Sequence, residues 1–90
     1  MTRLNKPRRM PDYRMEKMDD ELLLFNPADT KILYCNDTAS LIWQMCDGTH
    51  STIEIVAILT DAYPEAADVI AADVDATLKR FLEQSAIEYV

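Results

Sequence analysis

From Tyr13 the chain alternates in character, Tyr13, Met15 and Lys17 standing against Arg14, Glu16 and Met18. A period of two is what an amphipathic strand produces. Asp19-Asp20 follows with turn chemistry, because Asp tolerates the left-handed region and bonds its own backbone. Leu22-Leu23-Leu24-Phe25 is a continuous apolar run, which predicts a central strand buried on both faces. Asn26-Pro27-Ala28-Asp29 supplies a second turn, Pro27 fixing φ, and Lys31-Ile32-Leu33-Tyr34-Cys35 reads as a third strand. Turns this short join antiparallel neighbours, so the strands form a meander in order 1-2-3. The third strand is then an edge unless a later segment covers it.

Beyond Cys35 the period becomes helical. Asn36 or Asp37 can cap a first helix, whose stripe is Ala39, Ile42, Trp43 and Cys46. Gly48 is expected to end it, since only glycine enters the left-handed region without a Cβ penalty. Ser51-Thr52-Ile53-Glu54 is a capping box that opens a second helix with Ile55, Ile58, Leu59 and Ala62 inward. Tyr63-Pro64 breaks it, because the residue before proline is pushed out of the α region. A third helix starts between Glu65 and Asp68 and lasts to about Gln84, with Ile70, Val74, Thr77, Leu78, Phe81 and Leu82 as its apolar positions. Acids crowd its first half, and Lys79 and Arg80 follow, the placement the helix dipole favours. Ile87–Val90 is a short apolar, strand-like end.

Three strands followed by three helices make an α+β domain, and a helix–turn–helix beside a hairpin also describes a winged helix. The 90 residues are one domain's worth, taken as 11–90. Residues 1–10 read as a flexible basic arm, with Arg3, Lys6, Arg8, Arg9 and Pro7 but little apolar content. The charge is lopsided. Residues 1–17 carry a net of +4 and residues 18–90 a net of −11, summing to −7.

Candidate chemistry is sparse. One Gly makes no phosphate loop, and one His, His50, has no evident partner nucleophile or metal-ligand set. Cys35 and Cys46, eleven apart, match no zinc or redox spacing and read as free thiols. The chain is therefore read as a non-enzyme without metal or cofactor. Its longest uncharged stretch, Thr38–Cys46, has nine residues, far short of the roughly 20 that cross a membrane. No apolar segment follows the N-terminal basic residues, so no secretory signal is expected and the expected compartment is the cytoplasm.

The order of several segments resembles the PqqD-like peptide chaperones, also called RiPP recognition elements. They are Leu23-Leu24-Phe25-Asn26-Pro27, Tyr34-Cys35-Asn36-Asp37-Thr38-Ala39, Ile42-Trp43 with Asp47-Gly48, and Ile53-Glu54-Ile55-Val56 with Leu59. Tyr63-Pro64 and Asp73-Val74, then Leu78 and Leu82, complete a match over roughly residues 11–87. The resemblance implies a three-stranded sheet plus three helices of winged-helix topology. It implies a stand-alone, non-catalytic protein that binds the leader of a ribosomally made precursor peptide and presents it to a modifying enzyme. In pyrroloquinoline quinone (PQQ) biosynthesis that enzyme is a radical SAM protein.

It also implies a binding groove between the third strand and the last helix, here Lys31, Ile32, Leu33, Tyr34 and Cys35 with Asp73, Val74, Thr77, Leu78 and Phe81. The residues allow the same mode, since an edge strand offers main-chain groups for β-augmentation. On that reading Leu33, Val74 and Leu78 line side-chain pockets, and Leu33→Pro weakens binding more than Lys79→Ala. The same spacing equally describes plain core for Leu33, Val74, Leu78 and Phe81. Two other functions compete. An acidic body with a basic arm suits an adaptor that docks on an enzyme without peptide cargo. A DNA-binding winged helix fits less well, because residues 68–85 carry a net of −2 and the second helix has no Lys or Arg.

Overall fold

The computed structural model describes residues 4–19, 21–28 and 32–90. Arg3, Asp20, Asp29 and Lys31 lie outside the described residues. Strands β1 (Pro7–Arg9), β2 (Arg14–Met18), β3 (Glu21–Phe25) and β4 (Ile32–Cys35) precede helices α1 (Asp37–Met45), α2 (Thr52–Ala62) and α3 (Ala67–Glu83), and β5 (Ile87–Tyr89) closes the chain. A 3₁₀ turn, Pro64–Ala66, separates α2 from α3 where Pro64 forbids continuation.

The meander is present: β2-β3-β4 is antiparallel, with Met15 opposite Leu24 and Leu24 opposite Leu33. Asp19 holds the first turn at φ 55°, the left-handed geometry that Asp tolerates. The Asn26 side chain accepts from Ala28 N at 2.9 Å, opening the second. The helices cover one face of this sheet only. Leu24 is therefore fully buried while Leu23 and Phe25, on the opposite face, are half-buried, so β3 is not enclosed on both faces as its apolar run predicts.

Asn36 rather than Asp37 caps α1, its Oδ1 accepting from Ala39 N at 2.8 Å. All four stripe residues of α1 are buried, and Trp43 stands edge-on to Phe81 with centroids 5.5 Å apart. Tyr13 tilts against Trp43 at 6.5 Å and donates its hydroxyl to the Gln84 carbonyl at 2.5 Å, tying the first hairpin to the end of α3. Around these rings pack Leu24, Ile42, Cys46, Ile55, Leu59, Ile70, Val74, Leu78 and Ile87. Burial pushes the Cys46 thiol up to about 12, so it sits in the core as a neutral hydrophobe.

Two expectations are corrected. Helix α1 ends at Met45, not at Gly48. Gly48 turns the chain after the helix at φ 81°, where a Cβ would lie 3.4 Å from Arg8 Cδ. Second, the basic arm does not float over its whole length. Pro7–Arg9 pairs with β5 in the register Pro7–Tyr89, Arg8–Glu88 and Arg9–Ile87, and Pro7 is buried. Main-chain bonds extend the seam from Lys6–Val90 to Met10–Ala86, and Arg8 forms an ion pair with Glu88. The Arg9 guanidinium donates to the carbonyls of Trp43 (3.2 Å) and Gln44 (2.8 Å). It brings to the C-terminus of α1 the cation that the helix's own last turn lacks.

Helix α3 ends with Ser85 at φ 60°, Ala86 N bonding Phe81 O at 2.8 Å and Ser85 N bonding Leu82 O at 3.0 Å. That is a Schellman closure with serine where glycine is favoured. Ser85→Gly is expected to raise stability by about 1 kcal/mol, the cost of placing a Cβ in the left-handed region. Chemical denaturation reads this as a higher midpoint at unchanged slope.

The α1–α2 junction carries two acid-sensitive groups, Asp47 and Glu54. The Asp47 carboxylate accepts from Thr49 Oγ1 (2.6 Å) and Thr49 N (2.9 Å) and lies 3.1 Å from His50 Nδ1. The Thr49 bonds chiefly hold its carboxyl below the usual carboxylate range. Ser51 N donates to Glu54 in the capping box and lowers Glu54 likewise. Both groups ionise more readily folded than unfolded, so their contribution is complete above the ordinary carboxylate range. It is lost as pH falls through about 4, where the unfolded chain takes up protons first. The melting temperature is expected to hold from neutral pH down to about 5 and then fall, with a shallower fall in Asp47→Asn.

Candidate functional site

Strand β4 pairs with β3 on one side and is the last strand of its sheet. Its side chains alternate: Leu33 and Cys35 are half-buried, packed on the core, whereas Ile32 and Tyr34 are 53% and 64% exposed. Burial raises the Cys35 thiol, opposed by the nearby Arg80 charge.

The main chain of β4 has a direction as well. Arg80 Nη2, from α3, donates to the Tyr34 carbonyl at 3.4 Å. That carbonyl therefore points away from β3. In an antiparallel ladder, residues turn both main-chain groups inward or both outward in alternation. Tyr34 and Ile32 present theirs to the open edge, and Leu33 turns inward to Leu24.

The N-terminal ends of β4's successor α1 and the flank of α3 face each other beside this edge. Asn36, Thr38, Asp73, Ala76, Thr77 and Arg80 line a cavity of about 160 Å³. Thr38 and Asp73 also border a second cavity of about 150 Å³, which runs on to Leu59, Tyr63, Glu65, Ala66, Val69 and Ile70. The two make one groove. From Val69 to Arg80 it follows α3 for about 16 Å at the helical rise, the length of about five extended residues. Its ends differ: Arg80 stands at the β4 end, Asp73 in the middle, and an apolar wall with Glu65 at the far end. Lys79 points elsewhere, to Asp75 at 3.0 Å.

The sequence-predicted site residues thus separate into three groups. Ile32 and Tyr34 lie exposed on the edge, and Asp73 and Thr77 line the groove. Leu33 and Cys35 supply strand geometry but turn their side chains inward. Val74, Leu78 and Phe81 are 0%, 1% and 2% exposed and belong to the core, so they form no pocket wall. They sit on the α3 stripe that seals against α1 and α2, and the groove uses the flank one position round the helix. Lys31 lies outside the described residues. Thr38, Ala76, Tyr63 and Val69 carry no local sequence signal that marks them as groove residues; the exposure of Tyr63 ahead of Pro64 depends on the helix break, which the sequence does show.

Among the described residues no group of three or more His, Cys, Asp or Glu could hold a metal ion, and no helix is long and apolar enough to cross a membrane.

A small α+β domain with an open strand edge facing the flank of its last helix is the frame, and residues 21–87 carry the pattern of one family. The chain belongs to the family described as coenzyme PQQ synthesis protein D (PqqD). Among solved structures it is similar to one described as TbiB1 in complex with the TbiA(beta) leader peptide. The two agree with a TM-score of 0.72 over 90% of this chain and 94% of that one, at 17% identity, a likeness of fold. Comparison with curated proteins finds no match.

Proposed function

We propose that this protein captures the leader segment of a ribosomally made precursor peptide along the β4 edge and presents it to a peptide-modifying enzyme, itself performing no chemistry. The observation that carries the reading is the outward Tyr34 carbonyl over a groove walled by α3. Membership of the PqqD family and the fold shared with a leader-peptide complex support it. A radical SAM enzyme is the partner most in keeping with the family's pathway, and the cytoplasm, where a ribosomal precursor is made, is the compartment.

Binding follows from the geometry. The leader adds as a strand to Ile32 and Tyr34, and its main chain takes the Tyr34 carbonyl from Arg80. The displaced guanidinium remains beside the peptide and pairs with a carboxylate there, a bidentate contact suited to arginine. An apolar leader residue fills the far end between Leu59, Tyr63 and Val69. Asp73 and Glu65 disfavour acidic residues there.

An amide NMR titration with the full precursor peptide tests this. Shifts are expected at Ile32–Cys35, Thr38, Asp73, Thr77 and Arg80, and the Arg80 side-chain signal moves with them. Shifts centred on the outer face of β2 and β3, or none with the peptide but broadening with the enzyme, would replace leader capture by an adaptor role.

A further inference from the structure

Among the described residues the groove leaves an apolar surface on α2 without a task. Helix α2 buries Ile55 and Leu59, yet its far side is apolar too. Exposed Ile53 and Ala57 recur at helical spacing with half-buried Val56 and Thr60 and, with Asp61 and Pro64, line a shallow depression of about 640 Å³. Ile53 is 80% exposed and Ile58, on the neighbouring flank, 43%. A single exposed Ile needs no explanation; a stripe continued onto Pro64 is a surface that a docking partner would cover.

Charge narrows the partner. Between residues 32 and 78 the chain has eight Asp or Glu and no Lys or Arg. Glu54, Asp61 and Glu65 flank the stripe, and Lys6 and His50 reach only the Glu54 end. Anionic membranes and nucleic acids are repelled by such a rim. A second copy would set the same acids against each other. A protein surface with an apolar centre and a Lys/Arg rim fits.

We propose that this face of α2 docks the peptide-modifying enzyme through such a surface. The inference rests on the leader-chaperone reading. It separates two jobs on one helix: Leu59 and Tyr63 turn to the peptide groove, whereas Ile53 and Ala57 lie on the side away from the core. Peptide and enzyme are then held together without competing.

The test uses the full chain with the double change Ile53→Glu and Ala57→Glu, and Ile53→Ala as a milder variant. Affinity for the modifying enzyme encoded beside the protein's gene is measured calorimetrically, and precursor affinity separately. Since both positions are exposed, circular dichroism should be unchanged. The expected result is at least a tenfold loss of enzyme affinity for the double variant, a smaller loss for Ile53→Ala, and unchanged precursor affinity. The wild-type complex should weaken as salt rises, as opposed rims require. Equal enzyme binding by the folded variants, or a parallel loss of precursor affinity, overturns the assignment. Wild-type protein that binds precursor but no enzyme overturns the docking face alone, and wild-type protein that binds neither overturns the chaperone reading with it.

Discussion

Tyr34→Pro is expected to abolish most leader binding while leaving the domain folded. The Tyr34 main chain faces the open edge, as the Arg80 bond to its carbonyl shows, so a proline there removes no bond to β3. It does remove the outward N–H that an added strand would use, a bond worth about 0.5–1.5 kcal/mol, and it sets a ring in the path of the peptide backbone. A loss of roughly tenfold or more in affinity follows, measured by fluorescence anisotropy with a labelled precursor. Tyr34→Ala keeps the N–H and should lose less. Sequence alone points this experiment at Leu33, but the Leu33 amide turns toward Leu24. Leu33→Pro would break the meander itself, and any loss of binding would report on folding. Undiminished affinity in folded Tyr34→Pro would exclude strand addition at this edge.

The second large effect concerns stability. Phe81 is almost wholly buried and meets Trp43 edge to face. Phe81→Ala should cost about 3–5 kcal/mol, from lost transfer energy and the cavity left behind. A domain of this size has about 5–15 kcal/mol of stability in all, so a loss on that scale is a large fraction of the total and lowers the melting temperature by more than about 10 °C. Thermal melting followed by circular dichroism reads this directly. The distinction matters for the site: if Phe81 lined the groove, truncating it would lower affinity with little change in melting temperature. Its place in the core predicts the opposite, a lower melting temperature with precursor affinity kept wherever the variant is folded.

Much of this architecture is legible in the residues because the signals are local. The Ser51–Glu54 capping box, the Tyr63-Pro64 break and the Ala39–Ile42–Trp43–Cys46 stripe each act within a few positions, and each sits in the structure as its chemistry requires. The edge status of β4 is legible for the same reason, since short turns leave little choice of partner. Two features are not. Pro7-Arg8-Arg9 shows no apolar alternation, and its strand exists because β5 and the end of α1 offer main-chain partners from the other end of the chain. The α3 stripe is legible as apolar, but periodicity does not say whether Val74, Leu78 and Phe81 meet a guest or their own core. That depends on how tightly α1 and α2 close over them.

The β1–β5 seam also bears on how the molecule assembles. Every contact of the meander spans a short loop, whereas Arg8 and Glu88 meet across nearly the whole chain. Closing so long a loop costs entropy that only an already formed body can offset. The hairpins and helices are therefore expected to come together first, with β1 pairing to β5 as the late step and bringing Arg9 to the end of α1. Weakening that seam should hasten unfolding far more than it slows folding, because its bonds are absent at the barrier. The pair of terminal strands thus acts as a latch on the lifetime of the native state, and has little part in the search that finds it.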